Sequence, residues 1–169
     1  FGLNYADVMA RLGLYPDMPP LPCVLGYDVC GEVAAVGENV TKFKQGDHVV
    51  ALTRFGGYAE YAITDERACI VIDKDIAAYK KLAMATQLST SYCATIEGIN
   101  LREGDTILVH AAAGGVGLGI VQIALWKKCK IIAIAGSDEK LTFLKSLGVE
   151  YTINYKKDDI YEKIRDFGL

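Results

Sequence analysis

The chain has 169 residues, of which 51% are hydrophobic and 23% are charged, and its formal net charge at pH 7 is −3. These values are ordinary for a globular chain of one domain or of two small or incomplete ones. A mildly acidic chain without a basic run is a poor partner for nucleic acid, because phosphate binding needs clustered Lys and Arg. No apolar run is long enough to span a bilayer, so we expect no membrane span.

The cysteines are odd in number and widely spaced, and no two of them form a CxxC pair; they are Cys23, Cys30, Cys69, Cys93 and Cys129. This pattern argues against a disulfide framework and indicates a reducing compartment, so we expect a cytoplasmic location. Free cysteines are among the most buried residue types, so we expect each one to act as a small core residue.

The first part of the chain, from Phe1 to about Ile72, has the pattern of a small β domain. Short β-like runs alternate with turns that contain Gly and Pro. The candidate strands are CGEVAAVG (30–37), HVVALT (48–53), GGYAEYAI (56–63) and ACIVI (68–72). No helical period of useful length is found before about Ile76, so the pattern predicts a compact, mostly antiparallel β domain.

Beyond an Ala-rich stretch (73–100) that is helical in parts, β-like runs alternate with helical patterns. They are TILVHA (106–111), GGVGLGIVQIALWKK (114–128), KIIAIA (130–135), SDEKLTFLKSLG (137–148), YTIN (151–154) and DDIYEKIRDFG (158–168). Ser137 and Asp158 are the expected N-caps of the last two helices. His110 is expected to pack at the end of the first strand. This alternation predicts a parallel, doubly wound sheet.

A glycine-rich turn joins the first strand and the first helix of this second half. The dinucleotide fingerprint G-x-G-x-x-G begins here at Ala112, so its first glycine is replaced. Gly114 would let the backbone approach a pyrophosphate, and Gly117 would let the helix pack closely on the strand. The amides at the start of the helix would hold the anion. A tight turn with nothing bound is the alternative. The predicted cofactor-binding residues of this turn are Ala113, Gly114, Gly115, Val116 and Gly117.

The end of the second strand indicates which dinucleotide to expect. An NAD site usually has Asp or Glu there, about 20 residues past the loop, but Gly136 and Ser137 occupy that place. Asp138 lies in the first helical turn, where the helix dipole favours an acid with any cofactor. Lys140 in the same turn and Tyr155 after the third strand suit a 2′-phosphate. We therefore expect NADPH to contact Gly136, Ser137, Lys140 and Tyr155. A merely solvated Lys140, and an NAD-using enzyme of the same fold, are the alternatives.

The run GDTILVHAAAGGVGLGIVQIA resembles the signature segment of the zinc-independent quinone oxidoreductases, the zeta-crystallin branch of the medium-chain dehydrogenase/reductases. The likeness continues in GLNYADVMARLGLYP, LPCVLGYDVCGEVAAVGENVTKFKQGDHV and GGYAEY, and so covers nearly the whole chain. MARLGLY and VHAAAGGVG also resemble the sub-branch named after a synaptic-vesicle membrane protein.

This resemblance implies an α/β plus β fold class, with the active site in the cleft between two domains. A GroES-like β domain (1–88) would be followed by a Rossmann NADP-binding domain (89–169). Both would be incomplete, because members of the family are about twice as long. The full-length protein is expected to be a homodimer.

The resemblance also indicates a site without a metal. Where related alcohol dehydrogenases carry zinc ligands, this chain has Asn4, Tyr27 and Asp28, with Thr86 near the place of the third ligand. The loop of four cysteines that holds their structural zinc is missing. Zinc needs three or four converging ligands, and neither histidine has a partner at metal spacing.

The activity that the resemblance implies is hydride transfer from NADPH to a quinone or an α,β-unsaturated carbonyl. Asn4 and Tyr15 match family positions that line the nicotinamide and the substrate, and Thr90 matches one that touches the nicotinamide. Each also has a structural interpretation, as a cap of a turn or helix or as an aromatic lid. Met9 stands where some quinone reductases have Tyr, so protonation would fall to water or to Tyr15. The alternative function is a nucleotide-binding protein that acts through partners, including peripheral membrane association, with little or no turnover.

Overall fold

The computed structural model describes residues 1–168 and divides the chain into two compact units, one from Phe1 to Thr86 and one from Gln87 onward. The domain limits expected from the sequence, 1–88 and 89–169, stay a prediction. Among the described residues, no helix is both long enough and apolar enough to cross a lipid bilayer. All five cysteines are free thiols; Cys93 is exposed and the other four are half-buried, so none is fully buried as expected.

The first unit is built on a three-stranded antiparallel sheet. Strands β1 (Asp28–Glu32), β2 (His48–Leu52) and β3 (Cys69–Val71) lie in the order β1-β2-β3. The central strand supplies the core of this unit, and its residues 49–51 are all buried. The antiparallel β fold predicted for this half is therefore confirmed.

The structure adds one short helix to the first unit and shows that one of the predicted strands is wrong. Helix α1 (Tyr5–Arg11) precedes the sheet, and its seven residues are too few for a helical period to stand out in the sequence. Segment 56–63 is not a strand. Its amides bond irregularly to a neighbouring loop, with 2.8 Å from the Gly56 nitrogen to the Val24 oxygen. Gly56 also has a φ of +85°, which interrupts an extended run. The first candidate strand is shorter than predicted, because 33–37 is irregular.

The Ala-rich stretch is helical, as predicted, although it is not one regular helix. It consists of α2 (Ala78–Ala83), a π-helical turn (Met84–Leu88), α3 (Ser89–Tyr92) and a second π-helical turn (Cys93–Gly98). The boundary between the two units falls inside the first π-helical turn.

The second unit contains a three-stranded parallel sheet of order β4-β5-β6. Its strands are β4 (Thr106–Val109), β5 (Lys130–Ala135) and β6 (Tyr151–Asn154). Each strand is followed by a helix, and these are α4 (Gly115–Trp126), α5 (Asp138–Ser146) and α6 (Ile160–Asp166). The short, apolar central strand with a helix after every strand is the arrangement that the sequence predicts.

Strand β5 separates two hydrophobic cores. Ile131 and Ala133 face a core to which α4 and α5 contribute, whereas Ile132 and Ile134 face a core with Ile160 of α6 at its edge. Successive side chains of a strand point to opposite faces, and burial on both faces is typical of a parallel sheet covered by helices. The predicted doubly wound sheet is confirmed.

The N-cap of α6 differs from the predicted one by a single residue. Asp159 caps the helix by accepting a hydrogen bond from the Glu162 amide at 3.0 Å. The carboxylate of Asp158 instead accepts from the Asn154 amide at 2.9 Å, and so holds the end of β6. The predicted cap of α5 is confirmed, because the Ser137 hydroxyl accepts from the Lys140 amide at 3.4 Å.

Candidate cofactor and substrate residues

The glycine-rich turn follows β4 at the carboxyl edge of the parallel sheet. Ala111 has a φ of +48°, a left-handed conformation that residues with a Cβ rarely adopt. Its carbonyl oxygen accepts a hydrogen bond from the Gly114 amide at 2.8 Å. A Cβ on Gly117 would lie 2.3 Å from the same oxygen. Helix α4 therefore closely approaches the turn after β4 at Gly117, and Ala111 is a part of this turn that sequence reasoning missed.

Helix α4 begins beside this turn without a side-chain cap. Gly114 is its N-cap residue, and both Gly114 and Gly115 are exposed. Ala113 and Val116 are half-buried. The first amides of a helix have no partner within the helix, and its dipole favours a negative charge there. The open turn therefore fits a pyrophosphate group.

Two of the glycines in α4 are required by a neighbouring helical segment. A Cβ on Gly115 would lie 2.5 Å from the Gln87 side chain, and one on Gly119 would lie 2.4 Å from Ser91 Oγ. Ser91 is buried, and its Oγ is also 2.8 Å from the carbonyl oxygen of Val116. The sequence motif did not point to Gln87 or Ser91, because both lie more than twenty positions before the turn in the chain. Packing thus accounts for Gly115, without excluding its predicted contact with a cofactor.

The residues that follow β5 and β6 lie at the same carboxyl edge, because all three strands are parallel. The Tyr155 ring covers Gly136 so closely that a Cβ there would lie 2.7 Å from the phenol oxygen. Ser137 is half-buried as the cap of α5, whereas Lys140 is exposed in its first turn. Among residues 1–168 no carboxylate lies within ion-pair distance of Lys140 (the four ion pairs involve other cations). His110, expected to pack, is exposed in the turn after β4.

Asp138, the first residue of α5, is engaged by the segment that ends β6. Its Oδ1 accepts from Asn154 Nδ2 at 2.6 Å, and its Oδ2 pairs with Lys157 Nζ. The hydrogen bond from Lys157, followed by that from Asn154, lowers the pKa of the Asp138 carboxyl group. Sequence reasoning placed Asp138 correctly in the first helical turn but gave no signal for these two partners.

In the first unit, Asn4 is the N-cap residue of α1. Its backbone amide donates to Asp7 Oδ2 at 2.9 Å, and its side-chain Nδ2 donates to Asp28 Oδ2 at 3.2 Å. Asp28 is 1% exposed and also accepts from the Thr86 amide at 3.3 Å. A carboxylate only accepts hydrogen bonds when ionised, so this contact orients the Asn4 amide with its nitrogen towards Asp28. Asn4 thus stands at the N-cap position of α1 while its side-chain nitrogen is bound to Asp28, and its role at the substrate stays a prediction.

Tyr58 lies beside the same pair of buried carboxylates. Burial raises the pKa of Tyr58 to about 12, and the charges of Asp7 and Asp28 add to the rise. Asp7 is itself 4% exposed, and its Oδ1 accepts from the Gly26 amide at 3.0 Å.

Tyr15 belongs to an aromatic cluster formed with Tyr27 and Phe55. The ring centroids of Tyr15 and Tyr27 are 5.7 Å apart, and those of Tyr27 and Phe55 are 5.2 Å apart. All three rings are half-buried. Burial, followed by the hydrogen bond and charge of Tyr15, raises the pKa of Tyr27. Phe55 gave no signal in the sequence, because it lies in a loop forty positions from Tyr15.

The structure thus places Asn4 and Tyr15 in the first unit, and Thr90, exposed on α3, in the second with the predicted cofactor positions. Their roles at a cofactor or substrate stay predictions. Among residues 1–168, no three His, Cys, Asp or Glu side chains come close enough to hold a metal ion.

Comparison with known proteins gives matches over both units. The family model of the alcohol dehydrogenase GroES-like domain matches residues 1–74, and that of zinc-binding dehydrogenases matches residues 115–168. The human synaptic vesicle membrane protein VAT-1 homolog is 36% identical over 164 residues, which is 97% of this chain and 42% of that protein.

Solved structures are similar as well. Escherichia coli quinone oxidoreductase, complexed with NADPH, has a TM-score of 0.93 and 30% identity, covering 99% of this chain and 52% of that one. The enoyl reductase CurK has a TM-score of 0.90 and 30% identity, with the same coverage. The chain spans about half the length of the curated relatives it matches.

A GroES-like antiparallel sheet followed by part of a Rossmann sheet defines a two-part dehydrogenase fold. The chain belongs to the medium-chain dehydrogenase/reductase superfamily, in the branch of the quinone oxidoreductases and VAT-1-like proteins.

Proposed function

We propose that the protein is an NADPH-dependent oxidoreductase that reduces quinones or α,β-unsaturated carbonyls without zinc. The observation that carries this proposal is the turn after β4, where Gly117 is required by its 2.3 Å approach and the start of α4 is open. The E. coli quinone oxidoreductase, 30% identical and solved with NADPH, supports both the cofactor and the substrate class.

In this proposal the second unit binds the cofactor. The pyrophosphate lies against the backbone of residues 113–117, where helix amides and the dipole of α4 stabilise it. The 2′-phosphate lies at Gly136 and Ser137, with the Lys140 ammonium and the Tyr155 hydroxyl as donors. Bound NADPH supplies the hydride, while the protein supplies position and polarity.

The substrate residues are assigned to the roles that their groups allow. Asn4, with its amide nitrogen held towards Asp28, keeps its Oδ1 and one remaining N–H for the nicotinamide or the substrate. Tyr15 offers a phenol beside the rings of Tyr27 and Phe55. Either this phenol or water protonates the substrate after it has accepted the hydride. The Thr90 hydroxyl is assigned to the nicotinamide carboxamide. An acceptor that is already electrophilic needs orientation more than a Lewis acid.

The first test is titration of the chain with NADPH and NADH, read by nicotinamide fluorescence after circular dichroism has established that the chain is folded. We expect NADPH to bind more tightly than NADH. Lys140→Ala should weaken NADPH binding about 10- to 150-fold, since a hydrogen bond to a charged group contributes about 1.5–3 kcal/mol, and should leave NADH binding unchanged. Lys145→Ala, in the last turn of the same helix, is the matched control and should change neither affinity.

A folded chain that binds neither nucleotide would contradict the proposal. Equal loss of NADPH and NADH binding in Lys140→Ala would contradict the assignment of the 2′-phosphate to this lysine. Turnover of a model quinone then separates an enzyme from a nucleotide-binding protein. NADPH binding without quinone or enone turnover would favour the second function, for which Met9, at a place that could hold a proton-donating Tyr, is the supporting observation.

A further inference from the structure

The carboxylate of Asp138 uses both of its oxygens within the protein. Oδ1 accepts from Asn154 Nδ2 at 2.6 Å, and Oδ2 pairs with Lys157 Nζ. Asn154 is 3% exposed, so its amide is fixed by its surroundings. Its Oδ1 accepts from the Lys156 amide at 3.2 Å, which directs its Nδ2 towards Asp138. The carboxylate is therefore held towards the end of β6 and is neutralised there.

This arrangement matters because of where Asp138 lies. It is the first residue of α5, in the same turn as Ser137 and Lys140, where the proposed function places the 2′-phosphate. A free carboxylate in this turn would repel a phosphate dianion through Coulomb interaction. It would also offer an acceptor for a ribose hydroxyl, which is how an acidic residue after the second strand selects NAD. An unpaired Asp138 would thus favour the wrong nucleotide.

We propose that Lys157 is a specificity-determining residue, which masks Asp138 and so allows the turn after β5 to prefer NADPH over NADH. Asn154 assists by holding the other carboxylate oxygen. This inference rests on the proposed function, because it concerns the same nucleotide. It differs from the assignment of Lys140, since Lys157 acts by cancelling a charge of the protein and makes no contact with the phosphate.

The test compares the dissociation constants of NADPH and NADH for single and double variants of the chain. Lys157→Gln should lower the preference for NADPH about three- to tenfold, the range expected for one unmasked charge near a phosphate at the protein surface. Asp138→Asn alone should change the preference little. In the double variant Asp138→Asn with Lys157→Gln the preference should return, because no charge is left to mask. Lys163→Gln, an equal loss of charge on α6, is the control.

The double variant decides between masking and direct contact. If Lys157 bound the phosphate itself, removing the Asp138 charge would not restore the preference, and the inference would be wrong. An unchanged preference in Lys157→Gln would overturn it as well. Failure of the unaltered chain to bind either nucleotide would contradict the proposed function, and this inference with it.

A second measurement needs no nucleotide. Lys157 holds the pKa of the Asp138 carboxyl below its ordinary value, so Lys157→Gln should raise it in an NMR titration of the side-chain carboxyl carbon. An unchanged pKa would show that the ion pair does not form in solution and would overturn the inference whatever the nucleotide affinities are.

Discussion

At the scale of single residues, Tyr58 makes the free energy of unfolding depend on pH. Its phenol has an ordinary pKa of 10.0 and is raised to about 12 in the folded protein, chiefly by burial. The unfolded chain therefore loses this proton near pH 10, whereas the folded chain keeps it until about pH 12. Between these values the unfolded state is favoured increasingly as the pH rises, so this group lowers the free energy of unfolding across the window.

We therefore expect Tyr58→Phe to reduce the loss of stability between pH 10 and pH 12. The measurement is the free energy of unfolding in urea at a series of pH values from 8 to 12. Tyr61→Phe is the control, because Tyr61 is 79% exposed. Parallel stability profiles for the unaltered chain and Tyr58→Phe would contradict this prediction.

The sequence could indicate single residues only through motifs. Asn4, Gly117 and Lys140 each stand at a recognisable motif position. The partner that orients the Asn4 side chain follows from distant packing, because Asp28 lies twenty-four positions away in the chain. Phe55 is a further example, because it lies in a loop without periodicity.

At the scale of elements, the contact between α4 and the turn after β4 depends on the absence of a side chain at Gly117. The carbonyl carbon of Ala111 would also lie within 2.9 Å of an added Cβ, so the clash is with backbone that cannot rotate away. We expect Gly117→Ala to lower the free energy of unfolding by about 1–3 kcal/mol, the usual cost of overpacking a close contact. Denaturant unfolding, followed by the fluorescence of Trp126 in the same helix, measures it.

Gly31→Ala is the matched control, because nothing lies within 4 Å of a Cβ added at Gly31 in β1. It should change the stability by much less than Gly117→Ala. Equal effects of the two substitutions would mean that the cost comes from the loss of glycine in general. The close approach of α4 to the turn would then make no separate contribution to the free energy of unfolding.

The pattern of apolar residues in the sequence predicted the strands of the parallel sheet. The bounds of β5 agree with the run KIIAIA, which is apolar after Lys130 and ends before Gly136, and the bounds of β6 agree with YTIN, in which Tyr, Thr and Ile favour a strand. Patterning failed for α1 and for segment 56–63. The former is too short for a period, and the latter satisfies its amides irregularly against a loop.

At the scale of the whole molecule, each of the two sheets ends in strands that pair on one side only among residues 1–168. Within residues 1–168, β3 pairs only with β2, and its Ile70 and Val71 side chains are 67% and 57% exposed. Unpaired strand edges with apolar side chains promote association with other strands. The fold class was predictable because both halves carry clear periods, whereas the exposure of these edges depends on which strands are neighbours.

We expect the chain to self-associate as its concentration rises and Val71→Lys to reduce this association, because a lysine on an edge strand opposes pairing. Size-exclusion chromatography with light scattering, over a range of protein concentrations, measures it. Ile63→Lys is the control: Ile63 is 95% exposed but lies outside any strand. An equal effect of both lysines would indicate nonspecific association through exposed apolar side chains and not pairing at the edge strand. A chain that stays monomeric throughout would contradict the prediction.

Helix α4 also connects the glycine-rich turn with a tryptophan side chain. Its twelve residues span about 18 Å, with the glycine-rich turn at one end and Trp126 at the other. Trp126 is the only tryptophan in the chain, and its ring is 73% exposed with Lys127 Nζ 5.1 Å from its centroid. Tryptophan emission overlaps the absorption of a reduced nicotinamide. The protein therefore carries its own energy-transfer donor on a rigid helical spacer, so that a nucleotide held at the turn would quench the intrinsic fluorescence without any added label.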